Sequence, residues 1–329
     1  MPKRILVGLL VFLLVVVGAA GAFLWRAHSA IRRERSPLPA VAAVAPELAA
    51  DPGAPGRLGW INTASQDMPR AAALDPDLDP QPDAPYRMSH PSFVLEWPDG
   101  RLLLVDLGMT QDAAREFGEP LESFADAESM ETHTPTAQAL GERANDVAGV
   151  ILSHTHTDHV QGIAALCSAR TKRLPVYATE AQIERPNYLT RPGLEMLREA
   201  GCVDLIELRD DDGDSLLPVP GLPGVRVIDA GGHTPGSQIV VARLDSGEDA
   251  ALYAFVGDIV NARAGIEHDV PKPWLYRTFV VPEDHERQGE LRRWLRDLNR
   301  SAGFTPLVAH DELATRSSGV APWKETPGR

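Results

Sequence analysis

Four potential metal ligands lie within six residues, in the run His154-Thr155-His156-Thr157-Asp158-His159. Three of the chain's ten histidines stand in this run, beside one carboxylate. Imidazole nitrogens and carboxylate oxygens are the usual non-thiolate ligands of zinc, and a catalytic zinc site keeps a position open for water. The residue types and their spacing therefore predict a metal centre. The alternative is a polar, histidine-rich surface loop that binds metal only incidentally.

The ligand run follows a short apolar segment, residues 147–152, which is typical of a buried strand. Its ligands therefore stand at a strand's carboxyl end, where α/β enzymes usually carry their chemistry. In extended backbone, residues two apart point the same way, so His154 and His156 are expected to share one metal. Asp158 and His159 follow where the chain turns into a predicted helix, and they are expected to bind a second metal.

The remaining ligand types stand at three further predicted strand ends. The strands predicted over 225–230, 252–256 and 306–309 lead into His233, Asp258 and His310, respectively. Glycines on both sides of His233 allow close backbone approach around its imidazole. We assign His233 to the first metal, His310 to the second and Asp258 to both. Each residue alone has an ordinary turn interpretation, but four strand ends that each supply a ligand type favour one shared site.

These residues together resemble the metallo-β-lactamase superfamily of hydrolases, over roughly residues 85–312. The sequence fills every position of the family's seven-ligand dinuclear pattern, with His154, His156, Asp158, His159, His233, Asp258 and His310. The segment Asp106-Leu107-Gly108, after an apparent hairpin, resembles the family's first motif. In the family that aspartate orients the ligand loop through hydrogen bonds. From the sequence alone, Asp106 has the alternative of a simple turn residue.

The resemblance implies an α/β fold, a four-layer αβ/βα sandwich in which two mixed sheets pack face to face, with helices outside and the metals at one edge. The hydrophobic patterns agree independently, because predicted strands alternate with predicted helices. Strands are predicted near 92–97, 101–106, 147–152, 174–178, 225–230, 237–243, 252–256 and 306–309. Helices are predicted near 111–117, 136–143, 162–169, 191–200 and 285–299.

The ligand set implies hydrolysis. Two divalent ions about 3.5–4 Å apart lower the pKa of a bridging water and polarise a substrate carbonyl or phosphoryl oxygen. A hydroxide held between the metals would attack, and Asp158 or Asp258 would relay the proton to the leaving group. Zinc is the default ion, while iron or manganese also suit a ligand set without cysteine.

The bridging position indicates the substrate class. Gly257-Asp258 resembles lactonases, hydroxyacylglutathione hydrolases and related esterases, whereas penicillin-cleaving zinc enzymes usually carry cysteine or serine in that region. We therefore predict a small-molecule carboxylic ester, lactone or thioester as substrate. β-Lactam or phosphodiester hydrolysis, or a non-catalytic metal-binding role, are the alternatives.

The charge of the chain argues against a nucleic-acid partner. The formal net charge is −14, and residues 1–35 contribute +5, which leaves −19 for the rest. Members of the family that process RNA need a basic surface, and this acidic surface would repel a polyanion.

Several further histidines and one tyrosine lie outside the predicted ligand set. We interpret His90, His133, His268 and His285 as solvated loop histidines, with a position at the active-site mouth as the alternative for each. Tyr188 follows a predicted strand and is a candidate oxyanion donor.

The segment through Trp274, Tyr276 and Phe279 is rich in aromatic residues and either caps an apolar substrate or packs near the core. Cys167 is expected to be a core residue of a helix behind the ligand run. The sequence does not show whether it forms a bridge with Cys202.

The amino terminus carries 21 uncharged residues, from Ile5 to Trp25. At 1.5 Å per residue, a helix of this length spans about 30 Å, the hydrocarbon thickness of a bilayer. Lys3-Arg4 and Ala20-Gly21-Ala22 also fit a cleavable signal peptide. We favour an uncleaved anchor, because apolar residues continue through Trp25. The flanking charges slightly favour a cytoplasmic enzyme and the export-like signal favours the opposite side, so the side of the membrane stays open.

The predicted organisation is an anchor or signal sequence over 1–25, a linker rich in alanine and proline over 26–57, and a catalytic domain over 58–329. Within the linker, residues 36–57 have no periodicity and are predicted to form a semi-extended tether. About 270 residues remain for the domain, enough for one large core. The oligomeric state is not predicted.

Overall fold

Two mixed β-sheets dominate the computed structural model, which describes residues 3–33, 35–209, 215–245 and 250–324. The predicted limits at residues 1 and 329 lie outside the described residues. The strands are β1 Arg57–Asp67, β2 Arg87–Glu96, β3 Leu102–Val105, β4 Glu131–Thr132, β5 Val147–Ile151, β6 Leu174–Thr179, β7 Val203–Leu208, β8 Leu217–Pro218, β9 Val225–Asp229, β10 Gln238–Asp245, β11 Ala250–Gly257, β12 Thr305–Val308 and β13 Ala321–Pro322.

The longer helices lie on the outer faces of the sheets. The α-helices are α1 Lys3–Arg32, α2 Val41–Ala50, α3 Gln111–Phe124, α4 Thr136–Leu140, α5 Thr157–Val160, α6 Ile163–Ser168, α7 Glu180–Glu184, α8 Arg191–Glu199, α9 Ala264–His268, α10 His285–Ala302 and α11 Glu312–Ser317. Short 3-10 turns cover Arg70–Ala72 and Gly141–Asp146, and one π-helical turn covers Tyr276–Val280.

The strand order shows two mixed sheets. The first sheet runs β13-β1-β2-β3-β5-β6-β7, with β4 paired to β1, and the second runs β12-β11-β10-β9-β8. β3, β5, β6 and β7 are parallel neighbours, as are β11 and β12. Parallel neighbours bring the ends that follow β5 and those that follow β11 and β12 to common edges, so side chains just after these strands converge.

The core consists of three layers of apolar contact. Between the sheets, Phe93 and Phe255 pack with ring centroids 5.1 Å apart. The outer face of the first sheet packs against α4, α6 and α8, and the outer face of the second packs against α2 and α10. Leu291 and Leu298 of α10 are fully buried, as their helical spacing predicts. The four-layer αβ/βα sandwich is therefore confirmed.

All eight predicted strands and all five predicted helices are present with shifted ends. The prediction missed β1, although eight of its eleven residues are buried. Polar residues such as Thr63, Ser65 and Gln66 are among them, so apolar alternation fails there. Most of their polar atoms are hydrogen-bonded inside the fold, as in the bond from Thr63 Oγ1 to the His90 carbonyl at 2.7 Å, whereas the buried Gln66 Oε1 has no hydrogen-bond partner among the described residues.

The predicted tether is wrong for the residues that form α2. Val44 and Leu48 are fully buried in the cluster on the outer face of the second sheet. The segment before α2 is also attached, because Trp294 Nε1 donates to the Pro39 carbonyl at 2.8 Å. The helix was not predicted because the segment is rich in alanine and proline, and only two large apolar residues one turn apart mark its buried face.

Helix α1 is long and apolar enough to cross a membrane, by length and composition. Its apolar side chains from Val7 to Val17 are exposed, whereas Ala27 and Ile31 near its end are buried against the domain. Length and composition alone fit a membrane anchor and a signal sequence equally.

Cys167 and Cys202 form a disulfide that joins the end of α6 to the segment before β7. The sequence analysis left this bridge open. Closing a loop of 35 residues restricts the unfolded chain and stabilises the fold by about 4 kcal/mol in the chain-entropy account.

The packing of α2 predicts a large effect of a single truncation. Leu48→Ala is expected to lower the free energy of unfolding by about 2–5 kcal/mol, because it leaves a cavity beneath α2. Leu78→Ala is the matched control, since Leu78 is 59% exposed, and its effect is expected to stay within about 0.5 kcal/mol. Urea unfolding in detergent micelles measures the free energy of unfolding of both variants. Equal midpoints would show that α2 does not pack on the domain and is a tether.

Candidate metal centre

All seven sequence-predicted ligands meet at one place. His154 follows β5, His233 follows β9, Asp258 follows β11 and His310 follows β12. The other three belong to the same run as His154, with Asp158 and His159 in the single turn of α5. Six of the seven are buried, and His156 is partly exposed. The site therefore lies at the edge where the two sheets and their connecting loops meet.

One group consists of His154, His156, His233 and Asp258. His156 Nδ1 lies 2.8 Å from His154 Nε2 and 3.3 Å from His233 Nε2. Asp258 Oδ2 lies 3.8 Å and 3.5 Å from the same two Nε2 atoms. Three imidazole nitrogens and one carboxylate oxygen thus face a common point.

A second group consists of His159, Asp258 and His310, with Asp158 beside them. His159 Nε2 lies 3.3 Å from Asp158 Oδ2 and 3.4 Å from Asp258 Oδ1. His310 Nε2 lies 3.4 Å from Asp158 Oδ2 and 3.1 Å from Asp258 Oδ2. Asp258 is common to both groups, and each of its two oxygens faces an imidazole of the second group.

Outer hydrogen bonds fix which ring nitrogen of His159, His233 and His310 faces the centre. His159 Nδ1 lies 3.0 Å from Asp106 Oδ2, and His310 Nδ1 lies 2.8 Å from the Ser89 carbonyl. His233 Nδ1 lies 2.6 Å from Glu283 Oε1. An acceptor at Nδ1 keeps a proton on that nitrogen, so the inward Nε2 is the atom that would bind a metal.

Asp106 holds the ligand loop in the way that the family resemblance implies. Its Oδ1 accepts from the Ser153 backbone N–H at 2.7 Å and its Oδ2 from the Ser153 hydroxyl at 2.9 Å. Gly257 lies across this loop with φ of 50°, and a Cβ there would stand 2.5 Å from Ser153 Cβ. Glycine is therefore required before Asp258, because any side chain would push β11 away from the loop.

The charges of the site divide along the same line as the two groups. Burial lowers the pKa of His156 to about 3 and holds the pKa of His154 well below its usual value. Burial opposes ionisation of Asp158 and Asp258, but the nearby imidazoles prevail and hold both carboxyl pKa values well below their ordinary range. The first group therefore presents neutral nitrogens beside ionised carboxylates. In the second group Asp158 and Asp258 outweigh burial and raise the pKa values of His159 and His310, so a divalent cation bound there would displace protons.

The donor set fits divalent metal ions. Among the described residues, His159 Nε2 and Asp258 Oδ1 are buried and have no hydrogen-bond partner. Ligands about 2.1 Å from a tetrahedral zinc ion stand roughly 3.4 Å apart, close to most of the separations seen here. Lone pairs that face each other across such distances repel unless a cation lies between them, so these residues are suited to hold metal.

Sequence reasoning missed a buried pair behind His233. The carboxylate of Glu283 is 2.7 Å from Lys272 Nζ, and that ammonium donates to the Asp258 carbonyl at 2.5 Å. Both residues are almost fully buried. The pair thus contacts one histidine ligand and the backbone of the shared carboxylate. Neither residue stands at a strand end or in a motif, so no sequence pattern marked it.

The interpretation of His90 as a solvated loop histidine is wrong. His90 lies in β2, is buried, and places Nδ1 3.3 Å from Asp158 Oδ2. Its ring also packs edge-on against Phe117 and His310 at 4.9 Å. Burial lowers the pKa of His90 to about 4, so the ring is neutral and positions Asp158 by contact.

The other singled-out residues lie around the site. His133 contacts the Ser65 hydroxyl at 2.9 Å, and His268 is exposed at the end of α9. His285 begins α10 and lies beside His28. The ring of Tyr188 contacts Phe23, and the oxyanion role predicted for this tyrosine stays a prediction.

Tyr276 is closer to the chemistry than its aromatic neighbours. Its ring centroid lies 5.4 Å from Lys272 Nζ. Burial, together with the carboxylates of Asp258 and Glu283, raises the pKa of Tyr276 well above its usual value. The hydroxyl therefore stays protonated and can donate a hydrogen bond.

A family model described as the metallo-beta-lactamase superfamily matches residues 85–307. The chain therefore belongs to the metallo-β-lactamase superfamily, as its ligand motifs predict. No curated protein matches the sequence.

Solved structures with the same fold include lactonases. An N-acyl homoserine lactone hydrolase with N-hexanoyl-L-homoserine bound at its catalytic metal centre superposes with a TM-score of 0.57 at 18% identity, covering 81% of this chain and 98% of its own. A quorum-quenching N-acyl homoserine lactone hydrolase superposes with a TM-score of 0.58 at 18% sequence identity, and the match covers 82% of this chain and 98% of that one. A variant of AiiA from B. thuringiensis with N-decanoyl-L-homoserine at its active site superposes with a TM-score of 0.56 at 17% sequence identity. The match covers 81% of this chain and 98% of that one. At these identities the likeness shows the fold.

The contact between Glu283 and His233 predicts a metal-binding phenotype. Glu283→Gln is expected to weaken metal binding by about 10–100-fold, because the carboxylate orients the ligand ring. Glu267→Gln changes an exposed glutamate of α9 and is the matched control, with no change expected. Competition against a chromophoric chelator measures both affinities. Unchanged affinity in Glu283→Gln would show that His233 needs no such support.

Proposed function

We propose that the protein is a dinuclear metallohydrolase that cleaves a lactone, a carboxylic ester or a thioester of a small molecule. The observation that carries the proposal is the position of Asp258, whose carboxylate faces both groups of imidazoles at 3.1–3.8 Å. A carboxylate shared by two complete ligand groups is the arrangement that two-metal hydrolytic sites need.

The chain's own residues divide the work. Two divalent ions, with zinc as the first candidate, would polarise the substrate carbonyl and acidify a water. Asp158 and Asp258 are ionised, so either accepts a proton from the attacking water and passes it to the leaving oxygen or sulfur. Tyr276 remains protonated and can donate to the substrate's carbonyl oxygen. Lys272 and Glu283 hold His233 and Asp258 in place during these transfers.

Three observations support this substrate class. Structures of the same fold hold N-acyl homoserine products at their active sites, and these are the ring-opened products of lactones. The bridging position is an aspartate rather than cysteine or serine. The acidic chain disfavours nucleic acid, since its formal charge is −14.

Metal removal tests the proposal. Chelation is expected to abolish activity across a panel of lactones, esters and thioesters, and zinc or manganese is expected to restore it at about two ions per chain. His154→Ala and Asp258→Ala are each expected to lose about 10²–10⁴-fold in kcat/KM. The exposed His268→Ala is the control.

Two results would contradict the proposal. Full activity in Asp258→Ala would place the chemistry elsewhere. A fully loaded protein that cleaves no substrate on the panel, nor a phosphodiester or a β-lactam, would favour a non-catalytic binding role.

We further propose that α1 is an uncleaved anchor and that the catalytic domain lies outside the cytoplasm. Supporting the anchor, α1 continues without a break through Ala20-Gly21-Ala22, and its end lies against the domain, where the two ring nitrogens of His28 are 3.1 Å and 3.2 Å from the Glu283 and Thr278 carbonyls. Supporting the side, the disulfide between Cys167 and Cys202 suits an oxidising compartment.

The anchor and its side are tested together. Mass spectrometry of the membrane-bound protein is expected to recover peptides that span Ala20 to Phe23. Protease added outside sealed, right-side-out vesicles is expected to digest the catalytic domain. A mature chain that begins after Ala22 would refute the anchor, and a domain that becomes accessible only after lysis would refute the side.

A further inference from the structure

A cluster of large apolar side chains is exposed at the π-helical turn and beside it. The apolar lip, as we name it, consists of Trp274, Leu275, Phe279, Val280 and Tyr188. These side chains are 40–64% exposed, and the rings of Trp274 and Phe279 pack edge-on at 5.3 Å. Elsewhere in the described chain beyond α1, exposed large apolar residues occur singly, as Leu78, Phe124 and Leu313. Clustered apolar exposure marks a surface that something covers.

The lip lies beside the exit of α1. The Tyr188 ring packs against Phe23 with centroids 4.9 Å apart. One turn further along α1, His28 Nε2 lies 3.2 Å from the carbonyl of Thr278, within the π-helical turn. Phe23 is in the last part of the uncharged stretch that ends at Trp25. The apolar lip therefore adjoins the end of the apolar stretch of the helix.

This contact sets the depth of the lip if α1 spans a bilayer. Phe23 would then stand near the hydrocarbon boundary, because Arg26 follows three residues later, about 4.5 Å along the helix axis. Trp25 is exposed, and tryptophan and tyrosine are the residues that favour the membrane interface. A residue in ring contact with Phe23 must share its depth.

The same segment reaches the metal centre. His28 Nδ1 lies 3.1 Å from the Glu283 carbonyl, while the Glu283 carboxylate holds His233 Nδ1. Tyr276, in the turn that carries Phe279 and Val280, packs its ring against Lys272, whose ammonium contacts the Asp258 carbonyl. Glu283 thus contacts both α1 and the candidate ligand His233. The π-helical turn carries both Phe279 of the lip and Tyr276 beside the site.

We infer that the apolar lip seats in the interfacial layer of a lipid bilayer beside α1, so that the metal centre takes acyl substrates dissolved in the membrane. The substrate half of this inference rests on the proposed hydrolytic function and narrows it to amphiphiles with a long acyl chain. The seating of the lip rests on the anchor and on the contacts above, and it is tested without any activity measurement.

Depth labelling tests the seating of the lip. The full chain is reconstituted in nanodiscs with Phe279→Cys or Phe124→Cys carrying an environment-sensitive nitrobenzoxadiazole, since the two native cysteines are paired in a disulfide. Phe124 is 91% exposed at the end of α3 and is the matched control. The label at position 279 is expected to emit at shorter wavelength and to be quenched by lipids brominated in the upper acyl chain, while the label at 124 behaves as in water.

Either of two other results overturns the seating. A water-like label at position 279 shows that the lip stays in solvent. A blue-shifted label that brominated lipid does not quench shows that a second copy of the chain, rather than lipid, covers the lip.

A substrate comparison tests the second half. The enzyme in nanodiscs is assayed with a water-soluble short-chain ester and with a long-chain ester of the same head dissolved in the bilayer. The ratio of kcat/KM for the long-chain to the short-chain ester is expected to fall roughly tenfold in Phe279→Ser, the factor expected from losing the burial of one phenylalanine. In Phe124→Ser the ratio is expected to hold. An equal ratio in the two variants overturns the substrate inference. Wild-type protein that hydrolyses neither ester would instead refute the proposed function, whatever the labels show.

Discussion

A carboxylate buried among imidazole lone pairs is costly unless cations neutralise it, and Asp258 is in that position. Much of the surrounding architecture brings Asp258 and its partners together. The parallel pairing of β11 with β12 places Asp258 beside His310, and Gly257 lets β11 approach the loop that follows β5. The fold brings the ligands together, and the ionised carboxylates of Asp158 and Asp258 supply negative charge that would bind cations.

Hydrogen bonds to the outer ring nitrogens orient three of the histidine ligands. Asp106, Glu283 and the Ser89 carbonyl each hold the outer nitrogen of one imidazole, so the inward nitrogens are fixed before any ion binds. Glu283 also receives the end of α1 through its carbonyl. The amino-terminal helix is therefore part of the folded unit rather than an appendage, and the segment between helix and domain packs as α2 instead of a free tether.

The ligand centre and the sandwich were predictable from the sequence because their signals are local. Apolar runs that end in glycine and a ligand, such as Gly257-Asp258, mark both a strand and its chemistry. What could not be predicted depends on contacts between distant residues. Lys272 and Glu283 become meaningful only beside His233, His90 only beside Asp158, and α2 only on the sheet that buries Leu48. β1 was missed because Thr63, Ser65 and Gln66 interrupt its apolar pattern, and their hydrogen-bond partners lie far along the chain.

The central claim is that Asp258 joins two metal ions into one centre. X-ray absorption at the zinc edge of the fully loaded protein tests it most directly, because a pair of ions adds metal-to-metal scattering at about 3.5–4 Å to the nearest nitrogen and oxygen ligands. We predict this scattering in the native protein and its loss in Asp258→Ala, with imidazole scattering retained. A native protein that shows only isolated, nitrogen-ligated zinc would contradict the account.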